Sequence, residues 1–471
     1  MNSMNDVKSI LNEIESFCRK HDLAETTFGK QAVNDGKFVA RLRAGKSVTL
    51  RTLERVRAYM ASQGGVPAAR SESAAAARIG SMKTTAKPEK GKGDEDEQQS
   101  FRFYDNRQKY LMFVNTCSEK WVVAERVGME LSHLKPTPPA LRVFDAGMGD
   151  GSVLTRVMRD MHNRFPHVPF QITAKEISLE DVRLGLEKMS DRFFEHPATI
   201  LVVTNLYYGE APKLMPKSLA AAASLNWHEV PLKGSTSHEF DEQIKGLQNI
   251  LANGWQVKAS EKTGNPLYVR PSVLVLYRED HKFMLDQMIP RPGHFEGLYD
   301  LAIASQPYRA AMSAKFKVEK VLAPIAKSIA PGGRMLVLHS YGNDPGMELV
   351  NKIWPDYNPF QVTRHDLIKE LKDQLGRTDR DIRYQAYADN RSLFRYQMHT
   401  LPGEIEHSAS IGTSTLFAAW NAAVYVAQID DHLLNDAMQS GDYLDATQDV
   451  LKRNKGLWFY DESFVITRTK R

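Results

Sequence analysis

The segment LRVFDAGMGDGSVLTRVM, residues 141–158, restricts the fold more than any other part of this sequence. Its apolar start is typical of a buried β-strand, and Asp145 stands where that strand ends. A helical pattern begins at Ser152, after three glycines at alternate positions: Gly147, Gly149 and Gly151. Glycines at a strand-to-helix turn permit positive φ angles and let a ligand approach the backbone closely. The segment therefore predicts a strand, a ligand-binding turn and a helix.

The spacing of these residues separates two classes of ligand. A dinucleotide fingerprint requires G-x-G-x-x-G, whereas this turn reads D-x-G-x-G-x-G. In this form it resembles motif I of the class I S-adenosylmethionine-dependent methyltransferases. The resemblance implies S-adenosylmethionine as the cofactor and assigns cofactor contacts to the residues of the turn: Asp145, Gly147, Gly149 and Gly151. The alternative is a glycine-rich turn that binds no ligand.

Two further strand ends agree with this resemblance. Residues 170–175 read as a strand that ends in Glu176, where the family places an acid that binds the two ribose hydroxyls. A carboxylate there suits a diol and would repel a ribose phosphate. Residues 199–204 read as the next strand and end in Asn205, at the position that contacts the adenine amine in the family, which more often has Asp there. The alternative for Glu176 alone is a solvated loop residue.

From residue 101 onward, apolar runs alternate with amphipathic helical patterns. The runs are LRVFDAG, FQITAKE, TILVVTN, YDLAIAS, GGRMLVLHS and SFVITR. Several are apolar throughout, as strands covered on both faces are. The pattern predicts an α/β domain over residues 101–471, and the resemblance implies a Rossmann-like methyltransferase with a mainly parallel, seven-stranded type of sheet.

The acceptor side of such a site is expected after the fourth strand, residues 299–304. There the sequence reads SQPY, which is similar to the [D/N]PPY motif of amino-methyltransferases but lacks its leading acid or amide and its paired prolines. A structural turn with packed aromatic residues is the favoured interpretation. The fifth strand, 334–340, follows a predicted PGG turn. Three residues are candidates for the acceptor side: Gln306, Tyr308 and His339.

Residues 210–298 form an insertion that is much longer than an ordinary strand-to-strand connection. They include two candidate strands, near 227–232 and 272–278. Because long loops beside a site are usually functional, the insertion is predicted to be a substrate lid or a small subdomain. The aromatic segment 101–121 is a candidate for a helix that closes over the cofactor, with core packing as the alternative.

Residues 64–100 contain no aromatic side chain and only three larger apolar ones. Such a stretch cannot bury enough surface to offset the entropy of ordering it, so it is predicted to be a flexible linker. The linker separates a small all-α domain, residues 1–63, from the catalytic-sized domain, residues 101–471.

The N-terminal domain reads as short helices with a turn at Asn34-Asp35-Gly36 before a basic helix. Residues 28–60 resemble the lambda-repressor-like helix-turn-helix family. The excess positive charge lies here, since residues 1–63 hold 11 Lys and Arg against 7 Asp and Glu. The resemblance and this charge predict contacts with duplex DNA through Lys37, Arg41, Arg43 and Lys46. The alternative is a helical bundle whose basic face contacts protein.

Composition bears on where the protein is located and on whether it contacts a membrane or binds a metal. Two cysteines in 471 residues cannot build a disulfide framework, which favours a reducing, cytoplasmic location. The most apolar later stretch, 417–429, is too short to span a bilayer, and no membrane contact is expected. The 14 histidines are dispersed without metal-ligand spacing, so no metal site is expected.

The sequence thus predicts methyl transfer from S-adenosylmethionine to an acceptor that it does not identify, in a chain with a DNA-binding N-terminal domain. Two alternatives stay open. One is a DNA-binding transcriptional regulator that uses the methyltransferase fold to sense S-adenosylmethionine. The other is a DNA methyltransferase, which the near-neutral charge of residues 101–471 and the altered SQPY disfavour. The expected partners are the acceptor, duplex DNA and, as a further option, a second copy of the chain in a homodimer.

Overall fold

The computed structural model describes residues 4–21, 23–33, 35–44, 107–260, 266–400, 402–406 and 411–470, with the single positions 52, 56, 59 and 60. The predicted linker, 64–100, and Lys46 lie outside these residues. The chain divides into two compact units, Met1–Gly91 and Lys92–Arg471, and each is described by itself.

The described part of the first unit is helical, with α1 (Met4–Lys20), α2 (Glu25–Val33) and α3 (Phe38–Arg43). Asp35 shapes the turn between α2 and α3, because its Oδ1 accepts the Lys37 N–H at 2.9 Å and its carbonyl accepts the Phe38 N–H at 3.1 Å. Apolar side chains from all three helices are buried together: Ile10, Ile14, Cys18, Phe28, Ala32, Phe38, Val39 and Leu42, with Val56. The described residues of this unit thus form helices and the turns that join them.

The second unit is built on strands, which are in chain order β1 (Leu141–Asp145), β2 (Phe170–Lys175), β3 (Thr199–Thr204), β4 (Asn226–Leu232), β5 (Val257–Ala259), β6 (Pro266–Tyr268), β7 (Ser272–Arg278), β8 (Tyr299–Ser305), β9 (Ile329–Ser340), β10 (Ile382–Gln385), β11 (Leu393–Gln397) and β12 (Trp458–Arg468). Within the described residues, ten of them form one sheet in the order β10-β12-β9-β8-β1-β2-β3-β7-β4, with β11 paired to β12, while β5 and β6 form a separate hairpin.

The centre of the large sheet is parallel. β3, β2, β1, β8 and β9 pair in parallel, and β12 pairs antiparallel with both β9 and β10. The seven strands from β3 to β10 therefore form the mainly parallel, seven-stranded type of sheet of a Rossmann-like methyltransferase fold, as predicted. Two added strands extend it, since β7 pairs antiparallel with β3 and β4 pairs with β7.

Helices cover both faces of the sheet and one end. They are α4 (Arg107–Thr116), α5 (Glu119–Leu131), α6 (Ser152–Arg164), α7 (Leu179–Glu187), α8 (Ser190–Glu195), α9 (Leu219–Ala223), α10 (Ser237–Lys245), α11 (Gln248–Gly254), α12 (Lys282–Leu285), α13 (Ala314–Lys317), α14 (Ala323–Lys327), α15 (Pro345–Ile353), α16 (Arg364–Leu375), α17 (Asp389–Ser392), α18 (Pro402–Glu406), α19 (Thr413–Val426), α20 (Asp431–Ser440) and α21 (Asp442–Asn454). A π-helical turn, Val318–Leu322, joins α13 to α14.

Three apolar clusters form the core of the second unit. One lies on the face of the sheet that α5, α6, α7, α10 and α11 cover, and the second lies on the opposite face under α13, α14 and α16. The third contains α4, α15, α19 and α21, with Trp420 and Phe459 buried in it. The apolar stretch 417–429 thus belongs to a packed helical cluster. No helix among the described residues is long and apolar enough to cross a bilayer.

The structure corrects one expectation. The predicted PGG turn, 331–333, lies inside β9, where the pairing with β8 shifts register between Tyr299 and Leu301. Gly332, at φ +82°, supplies the left-handed residue that this bulge requires. Within the 210–298 insertion, β4 and β7 extend the sheet, and β7 is buried along its whole length beside β3.

The close approach of α6 and α7 fixes the end of the predicted ligand turn. Gly151 stands at φ +76° immediately before α6, and a Cβ there would lie 2.8 Å from the Cα of Gly185 on α7. Only glycine combines that φ with that distance at no steric cost. The second unit therefore depends on glycine at both positions for its helix packing.

We predict that Gly151→Ala lowers the free energy of unfolding of the second unit by about 1–3 kcal/mol, because alanine adds both backbone strain and a backbone clash. Gly412→Ala is the matched control, since Gly412 has φ −59° and a Cβ there meets nothing within 4 Å. Urea unfolding of the two variants measures the difference. Equal stabilities would contradict the proposed packing constraint.

Candidate active site

The carboxyl ends of three neighbouring parallel strands bring the predicted cofactor turn beside the predicted acceptor loop. Asp145 at the end of β1 is level with Ala174 on β2 and with Ile303 on β8. A Cβ placed on Gly147 would have Ser305 O, at 3.9 Å, as its nearest neighbour. The backbone at Gly147 is therefore open to a ligand, and the loop after β8 lies next to it.

Asp145 holds the first part of the turn. Its side chain is 3% exposed, and its Oδ1 accepts the N–H of Gly147 at 3.1 Å. Burial raises the pKa of this carboxyl group to about 6; the hydrogen bond from Gly147 opposes the shift, and the nearby charge of Glu176 adds to it. Because burial destabilises the ionised form of Asp145, this carboxyl group favours the binding of a ligand that is positively charged or donates a hydrogen bond.

Glu176 lies where the sequence places it and also contacts the glycine turn. Its Oε2 accepts the Gly149 N–H at 2.9 Å, and its Oε1 accepts the N–H groups of Ile177 and Ser178 at 2.7 and 2.9 Å. Gly149 has φ +52°, which a residue with a side chain rarely adopts. The carboxylate therefore joins the ends of β1 and β2 and is half-buried at the edge of the sheet.

The structure gives Asn205 a different role from the adenine contact that the resemblance implied. Its side chain is fully buried, and its Nδ2 donates to the carbonyls of Gly254 and Arg270, both at 2.9 Å. Its Oδ1 accepts the N–H of Ser272 at 2.8 Å. Both amide hydrogens are thus used to attach the insertion to β3, because a buried amide must be satisfied.

Two side chains outside the motif complete the turn and were not among the predicted site residues. Tyr110 on α4 places its Oη 3.1 Å from Asp150 Oδ1, so the predicted aromatic helix does contact the glycine turn. Lys188 Nζ donates to Asp150 Oδ2 and to the Asp150 carbonyl, both at 2.6 Å. Aromatic spacing in the sequence indicated α4, but nothing indicated Lys188.

The three predicted acceptor-side residues come together around one small cavity. Tyr308 Oη lies 3.1 Å from Nδ1 of His339, and Gln306 Nε2 donates to Ser340 Oγ at 3.0 Å. Gln306 has φ +48°, an uncommon conformation for a residue with a side chain, which concentrates at functional sites. Residues separated by more than 30 positions thus form one polar cluster.

Glu462 on β12 orients this cluster. Its Oε1 lies 2.8 Å from Nε2 of His339, while Arg364 donates its backbone N–H to Oε1 at 2.7 Å and its Nη1 to Oε2 at 2.8 Å. Burial alone would raise the pKa of Glu462, but the hydrogen bonds and charges of His339 and Arg364 outweigh it and hold the pKa below its usual value. The ionised Glu462 therefore requires a proton on Nε2 of His339 and leaves Nδ1 to accept the Tyr308 hydroxyl.

Asp461, the neighbour of Glu462 on β12, is in the opposite state. It is fully buried, and burial, followed by the charge of Glu119, raises its pKa well above the usual range. Gln306 Nε2 lies 3.3 Å from each of its oxygens. The sequence carried a usable signal for both acids, because two adjacent carboxylates lie in a strand that is rich in aromatic and aliphatic residues, WFYDESFVITR.

Among the described residues, no group of three or more His, Cys, Asp and Glu could hold a metal ion.

In the first unit, the candidate DNA-contacting residues differ from one another. Arg43 pairs with Glu15 at 2.8 Å and Glu25 at 2.7 Å, and Arg41 pairs with Asp35. Lys37 is exposed and makes no ion pair with the described residues, and Lys46 lies outside them.

Comparisons with known proteins give only distant likenesses. No family model matches the chain, and no curated protein matches it. Similar solved structures include a geranyl diphosphate methyltransferase, with 13% identity over 74% of this chain and 77% of that one and a TM-score of 0.28. The plantazolicin methyltransferase shares 9% identity over 78% and 92%, with a TM-score of 0.30. Phosphoethanolamine N-methyltransferase 2 of Haemonchus contortus shares 9% over 79% and 60%, with a TM-score of 0.27. At these scores, the fold assignment rests on the strand order.

The raised pKa of Asp145 predicts a pH-dependent cost to stability. The unfolded carboxyl group loses its proton near pH 4 and the folded one near pH 6, so the folded state binds more protons in between and stability falls as the pH rises through that window. Asp145→Asn keeps an acceptor for Gly147 but cannot ionise. We expect the variant to equal the wild type near pH 4 and to exceed it by up to about 3 kcal/mol at pH 7.5.

Urea unfolding of both proteins from pH 4 to pH 8 measures this difference. A difference that stays constant with pH would show that Asp145 ionises normally in the folded protein.

Proposed function

We propose that this chain is an S-adenosylmethionine-dependent methyltransferase. The observation that carries the proposal is the adjacency of three features at one edge of a parallel sheet: the Asp145–Gly151 turn, the carboxylate of Glu176 and the polar cavity beside Gln306. Ligands of open α/β sheets bind outside the carboxyl ends of the strands. The edge of this sheet thus offers a cofactor side and an acceptor side in contact with each other.

The residues of the cofactor side fit S-adenosylmethionine. The backbone at Gly147 is open, as a Cβ there would have no neighbour closer than 3.9 Å. Glu176 offers two acceptor oxygens to the hydroxyls of a ribose, and each oxygen has more than one acceptor position. Asp145 adds a carboxylate next to the turn. When bound, S-adenosylmethionine supplies a methyl group that is electrophilic because its sulfur is a sulfonium.

On the acceptor side, the chain holds a proton-accepting relay. Burial raises the pKa of Tyr308 well above its usual value, so the phenol is protonated before the reaction begins. Nδ1 of His339 is the accepting atom, and Glu462 stabilises the imidazolium that results. We propose that Tyr308 Oη takes a proton from the acceptor as it gives its own to His339, while Gln306 is held in place by Ser340 and Asp461.

The alternative functions differ from this one in what happens to the methyl group. A regulator that senses S-adenosylmethionine binds it without turnover, whereas a DNA methyltransferase labels nucleic acid. Incubating the full chain with methyl-labelled S-adenosylmethionine and separate lysate fractions of small molecules, proteins and nucleic acids distinguishes the three. Label in the small-molecule or protein fraction supports the proposal, and binding without label in any fraction supports the sensor.

We predict that Glu176→Ala weakens S-adenosylmethionine binding about 10- to 100-fold, because charged hydrogen bonds to the ribose contribute about 1.5–3 kcal/mol. Glu187→Ala is the matched control, since Glu187 ends α7 with an exposed side chain. Isothermal titration calorimetry measures both. The cofactor assignment fails if the wild type gives no heat, or if the two variants bind equally well.

For the N-terminal unit, we propose contacts with DNA phosphates through the start of α3. The α2–turn–α3 arrangement and the exposed Lys37 support this role. Arg43 instead holds α3 to α1 and α2 through Glu15 and Glu25, and these ion pairs raise its pKa. We therefore expect Lys37 to contact DNA and Arg43 to stabilise the packing of the helices.

We predict that Lys37→Ala in the full chain flattens the plot of log K against log salt by about 0.9 for duplex DNA, since one phosphate contact is lost. Arg43→Ala is expected to lower the stability of the unit and to leave that slope unchanged once the protein is folded. Gel shifts over a salt series measure the slopes. Absence of DNA retention by the wild type at low salt would favour the protein-contact alternative.

A further inference from the structure

Lys317 is a buried cation that the proposed chemistry does not use. It ends α13, is 2% exposed, and lines the cavity beside Gln306, Tyr308, His339 and Ser340. Among the described residues, its Nζ has one hydrogen-bond acceptor, the Ala310 carbonyl at 2.7 Å, and lies 5.0 Å from the centre of the Tyr308 ring. An ammonium group has three donors, so this one keeps donor capacity beside the cavity.

The charge of Lys317 is not balanced within the cavity lining, which contains this lysine and no carboxylate. Glu462, behind the lining, favours the charged form of Lys317, but burial outweighs this effect and lowers the pKa of Lys317 to about 8. Glu462 also accepts hydrogen bonds from Arg364 and lies within hydrogen-bond distance of His339, and burial raises the pKa of Asp461 well above its usual range. A buried charge is costly unless it is paired, so the cavity favours a negatively charged occupant.

The backbone next to Lys317 is unusual in two places. A π-helical turn, Val318–Leu322, begins immediately after it, and Gln306 across the cavity has a positive φ. Both features are enriched at functional sites because folding alone does not favour them. Lys317 therefore lies next to two backbone features that are enriched at functional sites.

The size of the cavity limits how an anion can enter. Its volume is about 10 Å³, which is room for about one water molecule. One oxygen of a carboxylate or phosphate group fills a similar space. An acceptor would therefore insert a single oxygen between Lys317 Nζ and the Tyr308 hydroxyl and leave the rest of the molecule outside.

We propose that the methyl acceptor carries an anionic group, a carboxylate or a phosphate, which Lys317 binds in this cavity beside Tyr308 and His339. This inference rests on the proposed methyltransferase function, since it names the chemical class of the acceptor. It adds a binding residue for the acceptor.

The test uses small probes on the full chain in the presence of S-adenosylhomocysteine. Acetate and acetamide have the same shape and differ in charge, and inorganic phosphate provides the second anion. Saturation-transfer NMR detects acetate and acetamide, and ³¹P line broadening detects phosphate. We expect acetate, phosphate or both to bind, and acetate to bind at least about 10-fold more tightly than acetamide. The anion that binds more tightly indicates which group the acceptor carries.

Lys317→Met is expected to lose this preference, and Lys315→Met, which changes an exposed lysine of the same helix, is expected to keep it. If Lys317→Met does not fold, Lys317→Arg keeps the charge and must still prefer acetate. Equal binding of acetate and acetamide by the wild type, unchanged acetate binding by Lys317→Met, or binding of neither anion would overturn the inference. Calorimetry of S-adenosylhomocysteine in the same samples reports separately on the proposed function.

Discussion

The parallel pairing of β2, β1, β8 and β9 is the constraint on which the whole candidate site depends. Parallel strands require crossover connections, so the turns after successive strands meet at one edge of the sheet. The glycine turn after β1, Glu176 after β2 and Gln306 after β8 are therefore neighbours, although up to 160 residues separate them in the chain. A change that shifted β1 relative to β8 would separate the cofactor side from the acceptor side.

Strand β12 supplies two acids, Asp461 and Glu462, to the acceptor side of the site. It pairs antiparallel with β9, which sets Asp461 opposite Ser340 and Glu462 opposite His339. Successive side chains of a strand point to opposite faces, so these two adjacent acids meet different surroundings. Glu462 meets an imidazole and a guanidinium group, which hold its pKa below the usual value, whereas Asp461 meets an amide and a hydroxyl group, and burial raises its pKa well above the usual range. Neither acid lines the cavity itself, whose lining contains Lys317.

Much of the fold and part of the site could be predicted from the sequence, because both leave local patterns. The buried runs of β1, β2, β3 and β8 were correctly placed, and the spacing of Asp145 and the glycines located the turn. The roles of Asn205 and Glu462 could not be predicted in the same way. Each depends on a partner that tertiary pairing supplies: the insertion's carbonyls for Asn205, and His339 and Arg364 for Glu462. A lysine such as Lys317 leaves no local signal, since nothing near it in the sequence distinguishes a buried ammonium from a solvated one.

The same limit applies to the net charge of the N-terminal unit. Counted along the sequence, the stretch from Gly36 to Arg57 has seven basic residues and a single acid, Glu54. In the fold, the acids that pair with Arg41 and Arg43 come from outside that stretch, from Asp35 on the preceding turn and from Glu15 and Glu25 on α1 and α2. Phosphates would have to compete with carboxylates already in contact with these guanidinium groups. The charge that can attract DNA is therefore smaller than the charge that the sequence counts, and it is concentrated at residues such as Lys37, whose side chain makes no ion pair with the described residues.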